Sequence, residues 1–142
     1  MNGDRLHLGS LLAEGADRWR DRLVETCRQA GFPDVTPTTC QVLWPLFEQD
    51  GLPISEVGER AGMAKSSMTT IVRGLERGGL VRLESDRADQ RVKRVWLTPR
   101  ARELERVLGD GVTRLRHRVT ATLGIQGQLQ LHQNLVRLLD TL

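Results

Sequence analysis

The sequence is poor in cysteine and histidine. Its two cysteines, Cys27 and Cys40, lie 13 residues apart, with no CxxC spacing and no histidine pair close by. A structural zinc site is therefore not expected, and in a reducing compartment the two are read first as plain thiols. The three histidines, His7, His117 and His132, fall on separate helical stretches and form no cluster. A nucleophile motif, a glycine-rich phosphate loop and a paired-carboxylate site are all missing, so neither an enzyme nor a bound cofactor is expected. No stretch approaches the ~18 consecutive apolar residues a membrane helix needs. No apolar run follows a basic N-terminal segment, which argues against a signal peptide and for a cytoplasmic protein. The length, 142 residues, suits one domain.

The net charge of +3 is small, but it is unevenly placed. Residues 1–63 carry a net −4, residues 64–102 a net +6, and residues 103–142 a net +1. Positive charge confined to one segment is the electrostatic footprint of a polyanion-binding surface.

That segment is also the best patterned. From Ala64 to Arg77, Met68, Ile71, Val72 and Leu75 recur at the spacing of one helix face. Ser66, Thr69, Thr70, Arg73 and Arg77 occupy the opposite face. Small hydroxyl side chains allow close backbone approach to a DNA groove, and arginines meet phosphates and guanine edges. Just upstream, Ile54 to Ala61 predicts a shorter helix, and Gly62 supplies the left-handed turn between the two. Helix, glycine turn, helix is a helix-turn-helix pattern. Gly58 stands where that motif usually has alanine, and should weaken the first helix by roughly 1 kcal/mol. Downstream, Leu80 to Glu84 and Val92 to Leu97 alternate as two strands around a polar turn, with Val95 and Leu97 on one face. This hairpin is a wing. Near its tip Asp89 precedes Arg91 by two residues, close enough for the carboxylate to hold the guanidinium extended toward a narrow minor groove.

Together these residues resemble the MarR family of winged-helix transcriptional regulators. The resemblance rests on Ser55-Glu56, Gly62, AKSSMTTIVRGLERGGLV from Ala64 to Val81, Asp86, Asp89, Arg91 and Val95-Trp96-Leu97-Thr98. It is strongest from Ile54 to Thr98 and elsewhere extends only to the helix pattern. Gln90, where the family often has arginine, and Leu83-Glu84, where it often has a basic residue, imply a less basic wing that binds more weakly.

The flanking segments predict long amphipathic helices. Leu6 to Ala30 carries Leu8, Leu11, Leu12, Trp19, Leu23 and Cys27 on one side, with Gly31 as the stop. Thr36-Pro37 should cap a helix running to Glu48. Pro45 inside it should kink the helix or shift its hydrogen-bond ladder, and Trp44 either completes the core or forms a cavity wall. Thr98-Pro99 starts another helix that runs to about Leu123. Gly124 to Gly127 interrupts, and a final helix reaches Leu142.

The expected fold is mainly α with a small β-hairpin wing: a winged helix-turn-helix of six helices, the wing between the fourth and fifth. Residues 1–142 form one MarR-like domain, with 36–98 as the DNA-binding lobe and 1–31 and 99–142 as dimerisation helices. The terminal helices carry more apolar surface than the winged core can cover, which a symmetric dimer would absorb. The resemblance implies the same homodimer.

The expected function is a sequence-specific regulator, in this family most often a repressor, that binds a pseudo-palindromic double-stranded DNA operator. Lys65, Ser66, Ser67, Thr69 and Thr70 are assigned to phosphates and base edges near the helix N-terminus, where the helix dipole favours anions. Arg73 is assigned a base or phosphate contact, Asp89 and Arg91 the minor groove, and Arg77 and Arg94 phosphates or solvent alone. The resemblance also implies a pocket for a small aromatic or amphipathic effector, with Trp19, Arg20, Cys40, Trp44 and His117 as candidate lining residues. Two alternatives stand beside this: a redox-sensing regulator using Cys27 or Cys40, and a winged-helix protein-interaction module that does not bind DNA.

Overall fold

The computed structural model describes residues 7–142. Its elements are α1 (Leu8–Gln29), α2 (Pro37–Glu48), β1 (Leu52–Pro53), α3 (Ile54–Arg60), α4 (Lys65–Arg77), β2 (Val81–Ser85), β3 (Lys93–Leu97) and α5 (Pro99–Leu139). The expected start of the first helix at Leu6 lies outside the described residues. Among the described residues no helix is long and apolar enough to cross a membrane.

Local chemistry sets most of these boundaries. Thr36 Oγ1 accepts from the Thr39 backbone N–H at 3.2 Å, and Thr39 Oγ1 accepts from the Thr36 N–H at 3.2 Å. This reciprocal cap starts α2, with Pro37 in the first turn where its missing N–H costs nothing. Thr98 Oγ1 likewise accepts from Ala101 N–H at 3.2 Å and starts α5. Gly31, with φ +94°, lies just beyond the end of α1. Pro45 is buried inside α2, and the helix runs through it from Pro37 to Glu48. The carbonyl that loses its helical donor belongs to Gln41, whose residue is exposed, so solvent can satisfy it.

The three strands form an antiparallel sheet in the order β1-β3-β2. Val81 pairs with Leu97, Leu83 with Val95 and Ser85 with Lys93, while Leu52 pairs with Val95 from the other side. The sequence reading expected the hairpin but not β1. Two residues are too short to show any alternation, and β1 is a strand only because β3 presents a free edge to it.

Two compact units divide the chain, one ending at Leu108 and one from Gly109 to Leu142. The core lies in the first. Val42, Leu43, Leu46, Val57, Val72, Val95, Ala101 and Leu104 are fully buried there, joined by Met68 and Cys27. Each fully buried Leu or Val contributes roughly 1.5–3 kcal/mol, so this cluster fixes α4 and the sheet against α2, α3 and the first turns of α5.

In the second unit, Gly124 alone leaves helical dihedrals (φ 72°, ψ 168°), and the residues on either side of it are helical. The helical stretch from Pro99 is therefore two runs, one to Leu123 and one from Ile125, so six helical runs stand among the described residues as expected, and one residue separates the last two instead of the segment Gly124 to Gly127. The reason is that glycine reaches a positive φ without steric cost, so one residue is enough to redirect the chain. A side chain at Gly127 would start 3.0 Å from Leu123 Cβ, so the two helical pieces approach closely at the bend.

Candidate nucleic-acid interface

The α3–α4 turn is built on glycine and on α2. Gly62 has φ +64°, and its N–H donates to Glu59 O at 3.1 Å. Met63 N–H donates to Gly58 O at 2.9 Å, and Gln41 Nε2 of α2 donates to Ala61 O at 2.7 Å, closing the C-terminal end of α3. On α4, Met68, Val72 and Leu75 are buried while Lys65, Ser66, Ser67, Thr69, Thr70, Arg73 and Arg77 are exposed, the two faces expected from the spacing. No side chain caps the start of α4, and while the Ser67 N–H donates to Ala64 O at 3.0 Å, the N–H groups of Lys65 and Ser66 are left open to an anion.

The wing tip is organised by carboxylates. Asp86 Oδ1 accepts from the N–H groups of Ala88 (2.8 Å) and Asp89 (3.1 Å) and shapes the turn. Asp89 Oδ1 then accepts from Arg91 N–H at 3.0 Å and from Arg91 Nε at 3.2 Å. Arg91 is nonetheless 92% exposed, so its guanidinium is held at one end and free at the other. Arg94 differs. Its Nε binds Asp86 Oδ2 and its Nη1 donates to Gly51 O at 2.8 Å, leaving the side chain 39% exposed. The Arg94 guanidinium, helped by the Ala88 and Asp89 N–H groups, holds the Asp86 carboxyl below the ordinary aspartate range.

A groove of about 600 Å³ runs between α3, α4 and the wing. Lys65, Thr69 and Arg73 of α4 line it together with Arg91 of the wing. Ser66, Ser67, Thr70 and Arg77 are exposed on α4 outside that groove. Ser55 and Lys93 also line it; Ser55 counted only toward the family resemblance, and neither was assigned a DNA contact from the sequence. Lys93 is exposed at the start of β3, with Nζ 2.6 Å from Ser85 Oγ, but it lies on the same side of the strand as Val95 and Leu97, so strand alternation alone would have assigned it to the core side.

A second cavity, about 220 Å³, lies at the α1–α2 seam. Arg20, Cys40 and Trp44 line it beside Leu23, Val24, Pro37 and Gln41. Trp44 is 52% exposed and meets Phe47 edge-on at 6.4 Å, so it forms a wall and does not complete the core. Trp19 does not line this cavity, and His117 belongs to the second unit. The neighbouring Cys27 thiol, together with burial, pushes Cys40 well above the usual thiol range. The same contact lowers Cys27.

A model of the MarR family matches residues 34–92. The chain is 36% identical over 64 residues to the HTH-type transcriptional regulator TtmR of Methylorubrum extorquens, a match covering 45% of this chain and 33% of that protein. It is 30% identical over 105 residues to the transcriptional regulator HosA of Escherichia coli O127:H6, covering 74% of this chain and 69% of HosA. Among solved structures, S. aureus MepR bound to DNA superposes with a TM-score of 0.78 at 20% identity, over 95% of this chain and 98% of that one. PcaV of Streptomyces coelicolor, in complex with its natural ligand, gives 0.68 at 27% identity, over 95% of this chain and 93% of that one. Family and fold are those of transcription regulators, not enzymes. With a family model on its winged segment and HosA matched over most of both chains, this protein is a member of the MarR family of transcriptional regulators.

Proposed function

We propose that the protein is a homodimeric, sequence-specific regulator that represses transcription from a pseudo-palindromic operator and is released by a small-molecule effector. The observation that carries the DNA reading is the convergence of Lys65, Thr69 and Arg73 with the Asp89-held Arg91 on one groove. α4 would enter the major groove while Arg91 reaches the adjacent minor groove, and two copies would place their α4 helices about one helical turn apart, roughly 34–36 Å. MepR in its DNA complex shares the fold. Residues 36–98 would form the DNA-binding lobe, and 1–31 with 99–142 the dimerisation helices. Dimerisation is supported by apolar side chains left exposed at both ends of the described chain, among them Leu8, Leu11, Ile125, Leu129 and Leu139.

Selection of bound duplexes from a random pool, followed by footprinting, tests this reading. A two-fold related site is the expected product. Equal retention of random and selected duplexes at physiological salt would refute it, and would leave the protein-interaction module as the better account.

The effector site is the α1–α2 cavity, where Arg20, Gln41 and Trp44 edge a mostly apolar space suited to a small aromatic or amphipathic molecule. PcaV, crystallised with its natural ligand, supports regulation of this kind. Release requires the effector to bind the DNA-incompetent arrangement more tightly. A second reading rests on the Cys27–Cys40 contact. A peroxide could take two electrons and two protons from the pair, forming an S–S bond between α1 and α2 and leaving two waters, or one water and one alcohol from an organic peroxide. Release of operator by peroxide in the wild type, absent in Cys27→Ser and Cys40→Ser, is its signature; no response in the wild type removes it.

A further inference from the structure

Arg94 lies in the basic segment and resembles one more phosphate contact, yet its bonds run inward. Two of its three guanidinium nitrogens are engaged, one with Asp86 and one with the Gly51 carbonyl. That carbonyl is itself fixed. Gly51 has φ +72°, and a Cβ there would stand 2.4 Å from the Trp96 ring, so no other residue fits without displacing the indole. Asp50 Oδ1 accepts from the N–H groups of Gly51 and Leu97, each at 2.9 Å, and its Oδ2 accepts from Arg102 Nη2 of α5 at 3.1 Å. The connection from Arg102 through Asp50, Gly51, Arg94, Asp86 and Asp89 to Arg91 consists of hydrogen bonds and single covalent steps throughout. It joins the first turn of α5 to the wing tip, across sequence separations of 43 and 52 residues.

We propose that Arg94 and Asp86 are positioning residues for DNA binding, which aim Arg91 by tying the wing turn to the Asp50–Gly51 loop and, through it, to α5. This inference rests on the DNA-binding reading above. It makes Arg94 a fork between two acceptors, where a phosphate contact would be a charge facing solvent. The distinction has a sign. Asp86 is an anion beside a polyanion site, so deleting its charge should tighten DNA binding by electrostatics alone. If Asp86 instead holds the turn through Arg94, the same deletion weakens binding.

The test is operator titration with wild type, Asp86→Asn, Arg94→Lys and Arg91→Ala, and with Asp86→Asn and Arg94→Lys each combined with Arg91→Ala, at several salt concentrations. Asp86→Asn and Arg94→Lys are each expected to weaken binding roughly tenfold, and to add little once Arg91 is already alanine. Lysine keeps the charge but cannot bridge two acceptors as the guanidinium fork does. In the free protein, amide exchange should quicken in both single variants over residues 86–92 more than in α2 and α4. Tighter or unchanged binding by Asp86→Asn overturns the proposal. So does full rescue by Arg94→Lys, or losses that add to that of Arg91→Ala. If wild type itself does not distinguish the selected duplex, it is the DNA reading that fails, and the inference falls with it.

Discussion

A Cβ placed on Gly58 of α3 would stand 2.7 Å from Met68 Cγ of α4. The two helices of the motif therefore close on each other through a position that has no side chain. By propensity alone, glycine costs α3 roughly 1 kcal/mol relative to alanine. Overpacking a filled site costs about 1–3 kcal/mol, and Met68 is only 1% exposed, with little room to retreat. Gly58→Ala should therefore lower stability on balance, although alanine is the better helix former. Combining it with Met68→Val should recover part of the loss. Chemical denaturation of the two single variants and the double variant measures the coupling, and a stabilised Gly58→Ala would contradict the packing account.

Arg91→Ala should weaken operator binding by about 1–3 kcal/mol and leave the oligomeric state unchanged. Arg91 is exposed and bonded only to Asp89 next to it, so nothing in the core depends on it. Titration at fixed ionic strength, alongside sedimentation of the same samples, checks both halves.

Asp86 predicts a specific acid sensitivity. Its folded-state pKa lies below the ordinary value of about 3.9. The unfolded chain therefore takes up the proton first as pH falls. The stabilisation is complete above the ordinary aspartate value and is lost as pH drops through the lower folded value. Asp86→Asn should flatten the stability–pH curve in that acid window and leave its shape from pH 6 to 8 unaltered. Denaturation midpoints collected at closely spaced pH values between 2 and 5 would show it.

Ile125 is 74% exposed just after the Gly124 break. In a dimer built from the terminal helices such a residue is covered, and a charge placed there would be buried without a partner. Ile125→Glu should shift sedimentation toward monomer and weaken operator binding in parallel. A variant that stays dimeric with full affinity would place the interface elsewhere.

Thr36→Ala should cost about 1 kcal/mol, because it removes the cap of α2 and one half of a reciprocal hydrogen-bond pair. A shift in thermal midpoint of several degrees is expected for a domain of this size.

The two faces of α4, the turn at Gly62, the caps at Thr36 and Thr98 and the acid-held Arg91 were all legible in the sequence. Each is a short-range matter of spacing, of a glycine φ, or of a hydroxyl within reach of its own backbone. The partition of the arginines was not. Arg91 and Arg94 sit three residues apart in one basic stretch, and only the return of the chain at Gly51 makes one an exposed cation held by Asp89 alone and the other a tie. Trp44 was undecided for the same reason, since whether α1 covers it depends on the packing of distant helices.

The amino-acid pattern by itself determined which segments are helices, which side of α4 is apolar, and that positive charge is concentrated from Ala64 to Arg102, because local backbone preference and hydrophobic periodicity act within a few residues. Tertiary structure alone decided that α3 and α4 meet through Gly58, that Arg20, Cys40 and Trp44 share a cavity, and that Arg94 points inward. Those outcomes depend on contacts between residues far apart in the chain, which no local pattern records.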